Sequence, residues 1–302
     1  MVEASKLFNE NKCDFIIGAG GGSPIDSAKM IRLMTTNNID TCLTEPMKNN
    51  GIKSLYIPTT AGTGAEATKS SVFYINEKDK MSIANLDFLP DYVILDSSLL
   101  NTLPLYQRKV TSLDALCHSI ESYWSVKATD ESREYAKKGI LGFFENKNGY
   151  IKNTPDGNEG MLWASYYGGK AINITGTTAA HAMCYNITMN CSVSHGHSVA
   201  CDLSVIWEYM MKHLDKTNGG LTGKEIMKRF DEIGVLCGGK NAEDGLKIFN
   251  RVLSDFDLAF PKTDEKNIPL FVSKVDVTRL GNNPVKLDSD DLTAIYTEIF
   301  RR

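Results

Sequence analysis

Over the first third of the chain, short apolar runs ending in glycine or small polar residues alternate with segments of helical spacing. DFIIGAGG reads as a strand closing on glycines, and IDSAKMIRLMTT after it carries apolar residues at helical intervals. SLYIPTT is a second strand running into AGTGAEATKSS, with SVFYI and DYVILD as further strands. Strands alternating with helices predict a mostly parallel sheet. After Asp96 the pattern turns helical. In QRKVTSLDALCHSIESYW, Val110, Leu113, Cys117, Ile120 and Trp124 form one apolar stripe. The fold class expected is an α/β domain over residues 1–104 followed by an all-α domain over 105–302. NKNGYIKNTPDGNEG and KTNGGLTG, rich in Gly and Asn, read as loops between helices.

Composition narrows the classes. With 302 residues and 42% hydrophobic content the chain can bury a substantial core. A formal charge of −4 without a long basic run argues against a nucleic-acid partner. The sequence has no run of 18 apolar residues and its first residues, MVEASKLFNENK, do not resemble a secretory signal, so a cytoplasmic protein without membrane association is expected. Seven scattered cysteines without a Cys-x-x-Cys pair read as reduced, structural thiols. Of five histidines, four (His118, His181, His195, His197) lie between residues 118 and 197. The fifth, His213, reads as a solvated helix residue.

Two loops have ligand chemistry. Gly20-Gly21-Gly22-Ser23-Pro24 joins a strand to a helix, where glycines admit a phosphate and the helix N–H groups favour an anion; it also suits a plain turn. Pro58-Thr59-Thr60-Ala61-Gly62-Thr63-Gly64 offers hydroxyls at a second strand end, suggesting one shared crevice, or a Thr-rich turn with Thr63 as a cap. Asp114, His118 and Glu121 line one edge of the helical stripe, half-buried and facing the same way. His181 and His195 bracket HAMCYNITMNCSVSHGH. Each alone reads as a core histidine, but with the Asp114/His118 pair they suit Fe²⁺ or Zn²⁺ with an open position.

GAGGGSPIDSAK, PTTAGTGAEATKSSVF, LDALCHSIESY and AHAMCYNITMNCSVSHGH together resemble, in order, the signature blocks of the iron-containing alcohol dehydrogenases. They fit these better than the sugar-phosphate lyases of the wider superfamily. The resemblance implies NAD or NADP and a metal in a cleft between the domains, with Asp114, His118, His181 and His195 as ligands. It implies that Gly21, Gly22, Ser23 and Asp26 meet the cofactor, with Thr59, Thr60, Thr63, Thr68 and Lys80 completing its cradle. Where many members carry a further histidine, this chain has Tyr185, so Tyr185 or His197 is expected to carry the proton. The chain opens inside a helix, and against the family pattern it reads as N-terminally incomplete, with the residue that selects NAD or NADP upstream and a homodimer through the exposed sheet edge expected.

The expected activity is interconversion of a small aldehyde and its primary alcohol. GKAINITGTTAAHAM is similar to phosphonoacetaldehyde reductases, which form 2-hydroxyethylphosphonate. Lys69 and Lys170, with Thr175 and Thr177, would then hold the phosphonate; alternatively both lysines reach solvent. Two alternatives remain: a general short-chain alcohol dehydrogenase acting on uncharged substrates, and a shortened chain that binds metal without turnover.

Overall fold

The computed structural model describes residues 1–37, 51–76 and 79–302. Helix α1 (Val2–Glu10) leads into β1 (Phe15–Gly20), α2 (Gly22–Met34) and β2 (Lys53–Pro58). A hairpin follows, β3 (Ser70–Asn76) and β4 (Asp79–Ala84), then the short β5 (Tyr92–Val93). β1, β2 and β5 form a parallel sheet in that order, with Ile17 opposite Leu55 and Leu55 opposite Tyr92. SVFYI does not join this sheet. It pairs antiparallel with β4, and Phe73 packs with Met30, Leu33 and Phe88 beside α2.

Among the described residues, ten α-helices follow: α3 (Leu105–Trp124), α4 (Asp130–Ile151), α5 (Pro155–Thr175), α6 (Ala179–Asn190), α7 (His195–Lys212), α8 (Gly223–Leu236), α9 (Ala242–Asp255), α10 (Ile268–Ser273), α11 (Val277–Leu280) and α12 (Ser289–Arg301). The segment NKNGYIKNTPDGNEG, expected to be a loop, is almost wholly helical. Only residues 152–154 separate α4 from α5, with Thr154 capping and Pro155 in the first turn. Its glycines serve close helix crossing: a Cβ on Gly157 would lie 2.2 Å from Gly149 C. His213 ends α7, half-buried, its ring stacked on Tyr209 at 4.0 Å.

Every residue of the α3 stripe is buried, and Trp124 meets Trp207 and Phe230 edge-on at 5.9 and 5.6 Å. One apolar cluster runs through the helical half. Arg108, at 2% exposure, ties the segment before α3 to the turn between α4 and α5. It donates to the carbonyls of Leu100, Leu103 and Tyr150 and to the side chains of Asn153 and Asn158. The β2 loop also presses on α5. Gly64 has φ +57°, and a Cβ there would lie 2.5 Å from Gly169 Cα, so a side chain is excluded by both backbone and space. Among the described residues, no helix is long and apolar enough to cross a membrane, and six cysteines are free thiols.

Candidate metal and cofactor site

Helix α3 presents Asp114 and His118 four residues apart on its inner face, both buried rather than half-buried, at 4% and 6% exposure. His181 comes from the first turn of α6 and His195 from the start of α7. All three imidazoles turn Nε2 toward one oxygen, Asp114 Oδ1, at 3.3 Å for His181 and 3.9 Å for both His118 and His195. Two atoms each about 2.1 Å from one tetrahedral ion lie about 3.4 Å apart, so these separations suit ligands sharing an ion. Asp114, His181 and His195 form the tightest group, with ligand atoms within 4.8 Å of one another. The fourth residue, His118, stacks its ring on His181 at 4.5 Å.

Each imidazole is held from behind through Nδ1. His118 faces the Gly62 carbonyl at 3.3 Å, His195 faces Cys184 Sγ at 3.5 Å, and His181 faces Glu121 Oε2. Such outer contacts fix the tautomer and aim Nε2 inward. Glu121 is fully buried and does two jobs. Its Oε1 accepts from Thr178 Oγ1 at 2.7 Å, Thr178 N at 3.1 Å and Ala180 N at 2.9 Å, which closes the start of α6, while Oε2 orients His181. The sequence placed Glu121 on this edge, but its pairing with His181 depends on how α6 packs against α3.

Electrostatics follow from burial and mutual contact. Burial would raise the Asp114 carboxyl, yet His118, His181 and His195 hold it well below its ordinary range. Burial opposes charge on His181, but Glu121 and Asp114 push it up to about 9. Burial dominates at His118, which is pushed down to about 4. With His181 Nδ1–H donating to Glu121, its Nε2 and Asp114 Oδ1 are two acceptors 3.3 Å apart. Either a proton or a metal ion must lie between them, which is the chemistry of a metal-binding donor set.

The two expected cofactor loops lie side by side. Thr59 N donates to Gly20 O at 2.9 Å, and a Cβ on Gly22 would come 3.0 Å from Thr63 Cγ2. Helix α2 begins at Gly22 without a side-chain cap, with Ser23 exposed and Thr59, Thr60 and Thr63 half-buried around it. Asp26 and Thr68 are placed differently, inside a buried network. Lys29 Nζ donates to Asp26 Oδ1, Thr68 Oγ1 and Ser70 O at 3.1, 3.2 and 2.6 Å, and Asp26 Oδ2 accepts from Val72 N at 2.9 Å. This network joins α2 to the hairpin beneath the loop. Lys80 stands opposite Tyr74 in the hairpin register, and its side chain lies outside the described residues.

Tyr185 stacks on His195 with ring centroids 5.6 Å apart, and burial raises its phenol so that it stays protonated. His197 does not join the cluster. Its Nε2 meets the Ala259 carbonyl at 2.8 Å and its Nδ1 the Tyr106 hydroxyl at 3.2 Å, so both nitrogens serve packing. The four expected substrate residues also separate. Lys170 lies over the Tyr135 ring at 5.4 Å, between α4 and α5, and Thr175 Oγ1 is taken up by Ser122 and by the carbonyls of Ala171 and Gly176. Lys69 is half-buried, and its backbone N donates to Asn173 Oδ1 at 2.8 Å. Thr177 Oγ1 accepts from Arg279, which sequence reading passed over.

Comparison with known proteins agrees with this geometry. Residues 1–97 match the family model described as iron-containing alcohol dehydrogenase, and residues 109–300 match that described as Fe-containing alcohol dehydrogenase family, C-terminal. The chain is 32% identical over 207 residues to the probable alcohol dehydrogenase EutG of Escherichia coli K12, covering 66% of this chain and 52% of that one. It is 24% identical over 302 residues to the phosphonoacetaldehyde reductase of Streptomyces viridochromogenes, covering 95% and 76%. The structure of sulfoacetaldehyde reductase from Bifidobacterium kashiwanohense in complex with NAD⁺ superposes with a TM-score of 0.87 at 24% identity, over 99% of this chain and 80% of that one. From the paired loops, the converging histidines and the two family models together, the chain belongs to the iron-containing alcohol dehydrogenase family.

Proposed function

We infer that the chain is a metal-dependent, NAD(P)-linked oxidoreductase interconverting a short aldehyde and its primary alcohol. The observation that carries this reading is the convergence of His118, His181 and His195 on Asp114 beside the paired Gly20–Pro24 and Pro58–Gly64 loops. Asp114, His118, His181 and His195 would hold one Fe²⁺, or Zn²⁺, as one carboxylate and three imidazoles suit either. Bound there, the ion supplies Lewis acidity at a carbonyl oxygen and the nicotinamide supplies hydride.

The chain's own groups provide position and polarity. Gly21, Gly22 and Ser23 at the open start of α2, with Thr59, Thr60 and Thr63, would hold the pyrophosphate. Lys29, Asp26 and Thr68 brace that loop from below. Glu121 holds His181 in the tautomer that points Nε2 at the site. Tyr185 keeps its proton and packs His195 in place. In this reading the chain divides near residue 104, and residues 1–104 would hold the cofactor while the four donors of 105–302 would hold the ion.

Phosphonoacetaldehyde is the proposed substrate, supported by likeness to the Streptomyces reductase. A second reading, uncharged short aldehydes, is favoured by the commitment of Lys170 and Thr175 to internal partners. Anaerobic protein loaded with Fe²⁺ would be offered phosphonoacetaldehyde, propanal and butanal with NADH or NADPH. Oxidation of the nicotinamide by any of them supports the general activity, preference for the first supports the phosphonate, and no oxidation by metal-loaded protein overturns both.

A further inference from the structure

Arg279 lies one aromatic ring away from the candidate metal cluster. Its guanidinium carbon is 5.2 Å from the centroid of Tyr185, and Tyr185 in turn is the ring stacked on His195. The residue comes from α11, whose start is capped by Asp276: Asp276 Oδ1 accepts from Thr278 N and Arg279 N, and Oδ2 takes Arg279 Nε at 3.1 Å. The carboxylate therefore fixes the inner edge of the guanidinium. Among the described residues, the outer edge meets neutral hydroxyls at long range, Thr177 Oγ1 at 3.3 Å from Nη1 and Ser82 Oγ at 3.5 Å from Nη2.

Three parts of the fold meet at this point. Ser82 belongs to the hairpin, Thr177 to the turn between α5 and α6, and Tyr185 to α6, so the guanidinium stands where the α/β half faces the helical half. The side chain retains 18% exposure. Thr177 accepts from Arg279, which leaves its own hydrogen for another acceptor. A fixed guanidinium fork beside two hydroxyls is a donor set matched to a planar or tetrahedral oxyanion.

We propose that Arg279, assisted by Thr177, is the residue that selects an aldehyde carrying an anionic head group, a phosphonate, sulfonate or carboxylate, by binding that group while the carbonyl lies at the Asp114 cluster. This rests on the aldehyde-reductase reading and moves the anion site away from Lys170 and Thr175. Tyr185 forms the wall between the two ends of the substrate. A short carbon chain then runs along its ring, from the metal side at His195 to the guanidinium.

The test separates anion binding from turnover. Calorimetry on the metal-loaded chain would use ethylphosphonate, ethanesulfonate and propionate, which carry the head group without a reducible carbonyl. The wild-type chain is expected to bind at least one of them, Arg279→Met to weaken that binding about 30- to 100-fold, and Thr177→Val about 3- to 10-fold. Arg279→Lys should recover part of the loss, because it restores charge without the fork. In parallel, the ratio of kcat/KM for phosphonoacetaldehyde to that for propanal should fall by a similar factor in Arg279→Met. Equal anion affinity in wild type and a folded Arg279→Met, or no anion binding by the wild type, overturns the assignment; if Arg279→Met does not fold, Arg279→Lys and Thr177→Val decide it in the same way. Turnover of propanal by a wild type that binds no anion would remove Arg279 and keep the enzyme, whereas anion binding lost in Arg279→Met without any turnover would do the reverse.

Discussion

The helical half closes around one continuous core, from the α3 stripe through Trp207 to Phe230 and Tyr296, while the described residues of the α/β half form two small clusters around Tyr56 and around Phe88. Among the described residues, one face of the sheet leaves apolar side chains exposed, with Ile17, Tyr92 and Ile94 at 59%, 58% and 47%. The chemistry divides along the same line. The proposed metal donors are side chains that must be aimed, and they hang from helices with a carboxylate, a carbonyl and a thiol behind them. The proposed cofactor cradle is made mainly of backbone and hydroxyls at strand ends, where a shallow core suffices.

The largest expected effect tests how the helical half holds the segment before α3 against the turn between α4 and α5. Replacing Arg108 by Met strands several buried acceptors at roughly 1 kcal/mol or more each, so urea unfolding should show a loss of about 4 kcal/mol. A loss below about 1 kcal/mol would mean that Arg108 does not join them. Next, Glu121→Gln keeps the shape but removes the charge behind His181. Metal affinity should fall about 10- to 100-fold by competition with a chelating dye, with the far-ultraviolet spectrum retained.

The two halves should also differ in hydrogen exchange. Amides of β1 and β2 should exchange at least about tenfold faster than those in the middle of α3 and α7, because fewer apolar contacts must break to open them. Equal protection in both halves would dissolve the contrast. The smallest effect belongs to Lys170→Ala. The ammonium over Tyr135 contributes about 0.5–1 kcal/mol at a half-exposed site, so the melting temperature should shift by only a few degrees.

The helical spacing of residues 114, 118 and 121 made the α3 face of the site legible, since three positions on one stripe edge need no tertiary knowledge. The two small-residue loops were legible as strand ends for the same local reason. What the sequence hid is what depends on packing. Glu121 acquires its partner only when α6 docks on α3, and Arg279 reaches Tyr185 from a short helix far along the chain. His197 sits two residues from a candidate ligand yet faces Ala259 and Tyr106, because residues i and i+2 of a helix point to different sides. The misread loop between α4 and α5 has a related cause: Gly149 and Gly157 are required by the closeness of two helices, a use of glycine that looks like a turn when read along one strand of sequence.

The most direct test of the account is an anaerobic Fe²⁺ titration of the purified chain beside its His181→Ala variant, followed by phosphonoacetaldehyde or propanal with NADH and NADPH. The wild-type chain should bind one equivalent of metal and oxidise nicotinamide only when it is bound, and the variant should lose both. Equal metal binding by the variant, or aldehyde reduction by fully metal-stripped wild type, would contradict it.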